Sequence, residues 1–366
     1  MKKDKMEPVD KSDVLIYEKY LNTLTMPLVA VLFALIIGAI FMIAIGKDPF
    51  FAYQVLFGSS LGNLRGFYET LVSTTPLIFT GLAVAFAFRS GLFNIGGDGQ
   101  FLIAYVATAW VGYAFNLPMI IHVPAAIIAG IIAAGLWGGF AGYLKASFGV
   151  HEVITTIMLN YIALYLSGYL IGGPLMAEGQ LPATPRIMET AKLWRIPGSR
   201  LSIGFLLALI AAWFIYYILW KTTTGYEIRA VGLNPEGAQY GGINISKNMI
   251  LAMFISGGLA GLAGSVQVMG LEYRAYQPFG FLGYGFTGIA VALLGKNHPA
   301  GVVLGAFLFG VLAKGANQMQ SIAHVPKEVI EIIQAIIIFF VAAEYMFKLI
   351  SKKMKDEKRG VSSADK

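Results

Sequence analysis

Apolar runs about as long as a bilayer is thick recur from Met26 almost to the C-terminus, and they restrict what this chain can fold into. In hydrocarbon every backbone N–H and C=O needs a partner inside the protein, which calls for helices of about 20 residues. About ten such stretches can be placed, near 26–46, 70–89, 99–116, 123–144, 153–172, 201–220, 249–269, 281–295, 300–316 and 328–348. The eighth and ninth are short and glycine-interrupted. An all-α, polytopic membrane protein is therefore expected, with a transmembrane domain over 26–348 between tails 1–25 and 349–366. Composition points the same way: 57% of residues are hydrophobic and only 13% charged, against about 25% charged in a soluble domain.

The net charge of +7 could suggest nucleic acid, but its placement argues for membrane orientation. Lys2, Lys3, Lys5, Lys11 and Lys19 precede the first apolar run, and a cluster from Lys348 to Arg359 follows the last. With both termini in the cytoplasm, most Lys and Arg fall in cytosolic segments, as the positive-inside bias requires. No nucleic-acid partner is expected; the lipid bilayer is. The polar N-terminal tail and the long first run read as a retained helix, not a cleaved signal. Cysteine is absent, and His122, His151, His298 and His324 show no ligand spacing, so no metal site, cofactor or disulfide is expected.

Two loops stand out. Gly173–Leu201, external on this threading, is stiffened by Pro174, Pro182, Pro185 and Pro197. The cytosolic loop 221–248 carries a short helix in its letters: Asn234 as N-cap, Pro235 at the first position, Glu236 near the positive dipole end, and Gly241 or Gly242 as the stop. Such a helix buries little of itself alone and offers a contact surface to a cytosolic partner.

Between the apolar runs Thr75–Phe88 and Phe101–Phe115 lies Gly91-Leu-Phe-Asn-Ile-Gly-Gly-Asp-Gly-Gln100. A carboxylate and two amides there suit either a cytosolic turn or the broken part of a transport route. Glu152, Thr155, Thr156 and Asn160 fall at helical spacing and form a polar stripe on the fifth span. The stripe either faces a wet pathway, the favoured reading, or packs on a neighbouring polar segment. Asn94, Asp98, Gln100, Glu152, Thr156 and Asn160 are thus the candidate pathway residues.

Gly149–Met158 resembles His324–Ile333, each opening a span, and interruptions at Gly91–Gln100 and Glu272–Gly288 match in position. Spans 2–5 and 7–10 would then form an inverted repeat, with the pathway at the repeat interface. GxxxG pairs at Gly135/Gly139, Gly138/Gly142, Gly257/Gly261 and Gly301/Gly305 let helix backbones approach closely. Gly283–Gly288 fits a dinucleotide fingerprint in letters only, since a membrane segment lacks the βαβ context. Gly295-Lys296 lacks the remainder of a phosphate-binding loop, so no catalytic or nucleotide site is expected in this chain.

Four segments carry a resemblance to a known family: Gly91–Gln100, Gly149–Asn160, Thr224–Ile243 and Ser256–Gly264. In this order they resemble the inner-membrane permease subunits of a bacterial ABC importer family that includes ribose and other simple-sugar permeases, over about Glu69 to Glu344. Asn94-Ile-Gly-x-x-Gly-Gln100 is most similar to the nucleoside (guanosine-type) branch, which usually has Glu where Asp98 stands. The resemblance implies translocation of nucleosides or simple sugars into the cell across the plasma membrane. It implies three partners: ABC ATPase subunits or domains, a second permease subunit that is a different homologous chain, and an extracellular substrate-binding lipoprotein. ATP hydrolysis would belong to the partner. The family's coupling helix maps onto Asn234–Gly241, so that Tyr226, Asn234, Pro235, Glu236, Ala238, Gln239 and Gly241 are the expected ATPase contacts. An ion- or proton-coupled secondary transporter of a small neutral polar solute is the competing reading; it leaves the cytosolic helix without a purpose.

Overall fold

The computed structural model describes residues 29–179 and 181–343. The basic tails, the outermost residues of the first and last expected spans and the C-terminal lysine cluster lie outside the described residues. Helices α1 (Val29–Ala44), α2 (Pro49–Leu61), α3 (Leu64–Arg89), α4 (Gly97–Ala114), α5 (Met119–Phe148), α6 (Glu152–Gly172) and α7 (Gly204–Lys221) follow in order. Then come α8 (Thr223–Leu233), α9 (Pro235–Tyr240), α10 (Ile245–Gln267), α11 (Tyr284–Leu294), α12 (Pro299–Ile322) and α13 (Glu328–Ala342). Among the described residues the only extended pairings are two isolated bridges, Ala183 with Tyr276 and Arg195 with Ser202.

The all-α expectation holds. Among the described residues, six helices are long and apolar enough to cross a bilayer, where about ten spans were expected: α3, α5, α6, α7, α10 with its extension to Glu272, and α12. The eighth expected span, 281–295, is the 11-residue α11, about 16 Å long and half the hydrocarbon thickness. Gly283, in the left-handed conformation, starts it late, and the preceding residues from Arg274 run without helix. The connection after the first expected span contains α2, and the loop 221–248 holds two helices where one was expected.

Two compact units make up the chain: residues 53–322, and residues 29–52 with 323–343. In the second, Phe33 and Phe340 pack with ring centroids 5.5 Å apart. In the first, α3, α4, α5 and α10 form the core, with α11 and α12 packed on α3. Glycine brings α5 and α10 together: a Cβ on Gly257 would lie 3.2 Å from the Gly138 Cα, and Gly135 and Gly139 face the Phe254 ring. These GxxxG glycines serve contacts within the chain.

Beyond Gln267 a π turn, Val268–Glu272, closes α10, and Tyr273 in the left-handed conformation donates its N–H to the Val268 carbonyl at 2.8 Å. Arg195, from the long proline-rich loop, donates to the carbonyls of Gly270 at 2.8 Å and Leu271 at 2.6 Å. Its guanidinium also lies 4.1 Å from the Tyr273 ring centre. A cation on the last carbonyls is favourable for the helix dipole.

Candidate functional site

The chain leaves α3 through a glycine stop. Gly91, with φ of +74°, donates to the Phe88 carbonyl and Leu92 to the Ala87 carbonyl, each at 3.1 Å. This is the pairing that satisfies the end of a helix when its next residue is left-handed. Asn94 then turns the chain: its Oδ1 accepts from Gly96 N–H at 2.9 Å. From Gly97 the backbone is helical again as α4.

Between the two helices the polar side chains answer one another. Asn94 Nδ2 donates to Gln100 Oε1 at 2.9 Å and to Ser256 Oγ at 2.8 Å, while Gln100 Nε2 donates back to Asn94 Oδ1 at 3.0 Å. Ser256 Oγ donates a hydrogen bond to the Ala83 carbonyl at 2.6 Å. Asn160 Oδ1 accepts from Gly99 N–H at 2.8 Å, and its Nδ2 donates to the Ile95 carbonyl at 3.0 Å. Asn94, Gln100, Asn160 and Ser256 are each at most 2% exposed. So dry an environment makes each of these bonds expensive to lose.

The cluster lies deep. Asn160 is about 12 Å along α6 from its Glu152 end and about 18 Å from its Gly172 end, and Ser256 is at the midpoint of α10. Helix α4 therefore begins beside the middles of α6 and α10, and α11 begins against it. Gly97 and Gly285 touch, a Cβ on Gly97 falling 3.0 Å from the Gly285 Cα. Asp98 accepts from the N–H groups of Gly285 and Phe286 at 3.1 and 3.3 Å. The two sequence interruptions thus meet in space, each supplying a helix N-terminus.

The remaining stripe residues make no hydrogen bond to this cluster. Glu152 pairs with Lys145 at 2.9 Å at the end of α6. Thr156 is buried beside the cluster but its hydroxyl turns back to the Glu152 carbonyl of its own helix at 2.8 Å.

At the end of α7 the loop 221–248 folds as two capped helices. Thr222 Oγ1 accepts from Gly225 N–H at 3.1 Å and starts α8, whose buried face is Gly225, Ile228 and Val231. Asn234 ends α8, donating its N–H to the Ala230 carbonyl at 3.0 Å, and caps α9 by accepting from Gly237 N–H at 2.9 Å. Pro235 and Glu236 open α9 and Gly241 closes it. A groove of about 450 Å3 runs between the helices, with Tyr226, Glu227, Asn234 and Gly241 along it. Ala238 is turned inward at 6% exposure. Pro235, Glu236 and Gln239 are exposed, and Tyr240, which sequence reasoning passed over, is 98% exposed. An aromatic side chain in a polar loop outside the apolar runs was the available signal.

Arg89 was also missed. Closing α3, it lies 5.3 Å from the Trp220 ring centre and donates from Nε to the Asn297 carbonyl at 3.1 Å. His298, tilted against the Trp220 and Tyr216 rings with centroids 5.2 and 5.8 Å away, has its pKa lowered by burial first and by Arg89 second. A charge ending an apolar run just before the glycine-rich turn was the sequence signal for Arg89.

Residues 66–342 match the family model described as "Branched-chain amino acid transport system / permease component". The chain is 46% identical over 345 residues to the guanosine ABC transporter permease protein NupP of Bacillus subtilis (strain 168), covering 92% of this chain and 98% of that one. It is 38% identical to the nucleoside ABC transporter permease protein NupB of Lactococcus lactis, covering 90% and 93%. It is 34% identical to the glucose ABC transporter permease protein TsgB13 of Haloferax volcanii, covering 91% of each.

Proposed function

The chain belongs to the branched-chain amino acid transport system permease family, and from that premise we propose how it works as the membrane permease subunit of an ABC importer. It is a multi-pass membrane protein, and ATP is hydrolysed by a separate subunit. Its substrate is a nucleoside. The observation that carries this is the 46% identity to a guanosine permease over nearly the full length of both chains. The physics of the site supports it, because a neutral solute needs no fixed counter-charge at mid-depth, where Asp98 is already engaged by backbone N–H groups.

The partners are an ABC ATPase, a second permease subunit of different sequence and an external substrate-binding lipoprotein. The chain threads the bilayer about ten times with both termini in the cytoplasm, α4, α11 and the short terminal helices supplying the crossings beyond the six long ones. Spans 2–5 and 7–10 form an inverted repeat whose halves meet where Gly97 touches Gly285. Asn94, Asp98, Gln100, Glu152, Thr156 and Asn160 border the route, holding its broken helices in register. Asn234, Pro235, Glu236 and Gly241 shape α9, Ala238 seats it, and Tyr226 and Gln239 meet the ATPase.

Uptake of labelled guanosine into vesicles containing the complete complex tests this reading. ATP should be required, and excess unlabelled nucleoside should compete while ribose and glucose do not. Uptake that persists without ATP, or that only sugars inhibit, sinks it.

A further inference from the structure

Helix α11 is gripped at both ends by one hairpin. At its N-terminus the N–H groups of Gly285 and Phe286 point at the Asp98 carboxylate, 3% exposed, on the first turn of α4. Just past its C-terminus the carbonyls of Lys296 and Asn297 accept from Arg89, at 3.4 Å from Nη2 and 3.1 Å from Nε. Arg89 closes α3 and Asp98 opens α4, with only the glycine-rich turn between them. The signs suit the helix: a negative group sits at the positive dipole end and a cation at the negative end. Between these ends the contact is tight. A Cβ on Gly288 would stand 2.7 Å from Thr80 Oγ1, and one on Gly81 2.7 Å from Val291 Cγ1.

The hairpin also touches the cytosolic helices. A Cβ on Gly232 of α8 would stand 2.8 Å from the Gly91 nitrogen, so any shift of α8 presses directly on the turn. On the other side, α11 carries the non-helical residues that precede it. There Phe279 is 96% exposed and Phe281 packs edge-on against Tyr161 of α6, with centroids 5.3 Å apart.

We infer that Asp98 and Arg89 are positioning residues for transport: together they clamp α11 to the α3–α4 hairpin, so that movement of α8 and α9 is delivered to the Phe279–Phe281 segment. The inference rests on the reading of α9 as the ATPase contact. The chain has no cysteine, so a single Phe279→Cys substitution, read on this chain's own band after separation of the subunits, reports on this segment alone.

In the assembled complex in nanodiscs, a soluble maleimide should label that cysteine at rates differing about threefold or more between nucleotide-free and vanadate-trapped states. Asp98→Asn and Arg89→Gln should bring the two rates together and lower guanosine uptake per ATP hydrolysed, with Arg89→Lys intermediate. A carboxylate this buried can affect folding, so the two Arg89 variants, at a partly exposed site, give the result independently. Equal labelling of the parent in both states overturns the inference, because the segment would not be the moving part. Variants that keep the parent's rate difference and its uptake per ATP overturn the clamp alone. Parent uptake indifferent to ATP overturns the coupling reading as well, and so separates the two failures.

Discussion

Asn160 and Thr156 sit one turn apart on the same polar stripe, yet the structure assigns them very different energetic weight. Asn160→Ala would leave the Gly99 N–H and the Ile95 carbonyl without partners in a site that is almost fully buried. Each stranded group costs about 1–3 kcal/mol, so the loss should total roughly 2–6 kcal/mol. Thr156→Val keeps the side chain's shape and removes a hydroxyl that only returns to a carbonyl of its own helix. Its cost should stay below about 1 kcal/mol. Thermal unfolding of the solubilised protein, followed by size-exclusion of a fluorescent fusion, reads the difference. Asn160→Ala should lower the midpoint by about 5 °C or more and Thr156→Val by about 2 °C or less. Equal midpoints for the parent and Asn160→Ala, with uptake abolished, would mean that the amide acts on the solute and not on the turn, and the reasoning would be refuted.

Asn234→Ala should cost about 1 kcal/mol by uncapping α9, and at unchanged membrane abundance it should reduce uptake more than ATP hydrolysis; equal reductions would argue against a coupling role for α9. Gly257→Val should sharply reduce the folded fraction, because its side chain would enter the backbone of α5 at Gly138; normal abundance would show that the helices can part. His298, outside the spans, has a lowered pKa, so its neutral form is the one that the fold prefers. Above about pH 6.5 the imidazole is neutral in both states and contributes no pH dependence; as pH falls below that value the unfolded chain takes up the proton first and stability declines. His298→Gln should flatten that decline between about pH 6.5 and 5, and an unchanged pH profile of the unfolding midpoint would reject the assignment.

What could be read from the sequence was what local chemistry determines. Asn234-Pro-Glu writes a helix start into three adjacent letters, and α9 begins there. The same logic at Thr222, followed by Ile228 and Val231 at three-residue spacing, marks α8, though the surrounding polarity obscured it. The eighth expected span proved a shorter helix, α11, because hydropathy records apolar content and not backbone conformation. Apolar residues from Phe279 to Leu282 look like helix, but the backbone there is not helical, and α11 waits for Gly283. The partnership of Asp98 with Gly285 and Phe286, far apart in sequence, depends on how two interrupted segments dock, which no short-range pattern encodes.

The polar decapeptide joins two different surroundings. Where the chain leaves α3, at Arg89 and Gly91, it touches Gly232 of α8; within a few residues, at Asn94 and Gly99, it has reached the middle of α10 and α6. A helix could not make that ascent and present Asn94, Gly96 and Gly97 at the same place, since its backbone groups would already be committed to one another. An irregular strand of glycines leaves N–H and C=O groups free, and the two amides of Asn94 and Asn160 satisfy them. The amides are therefore the condition for breaking the helix in a dry environment.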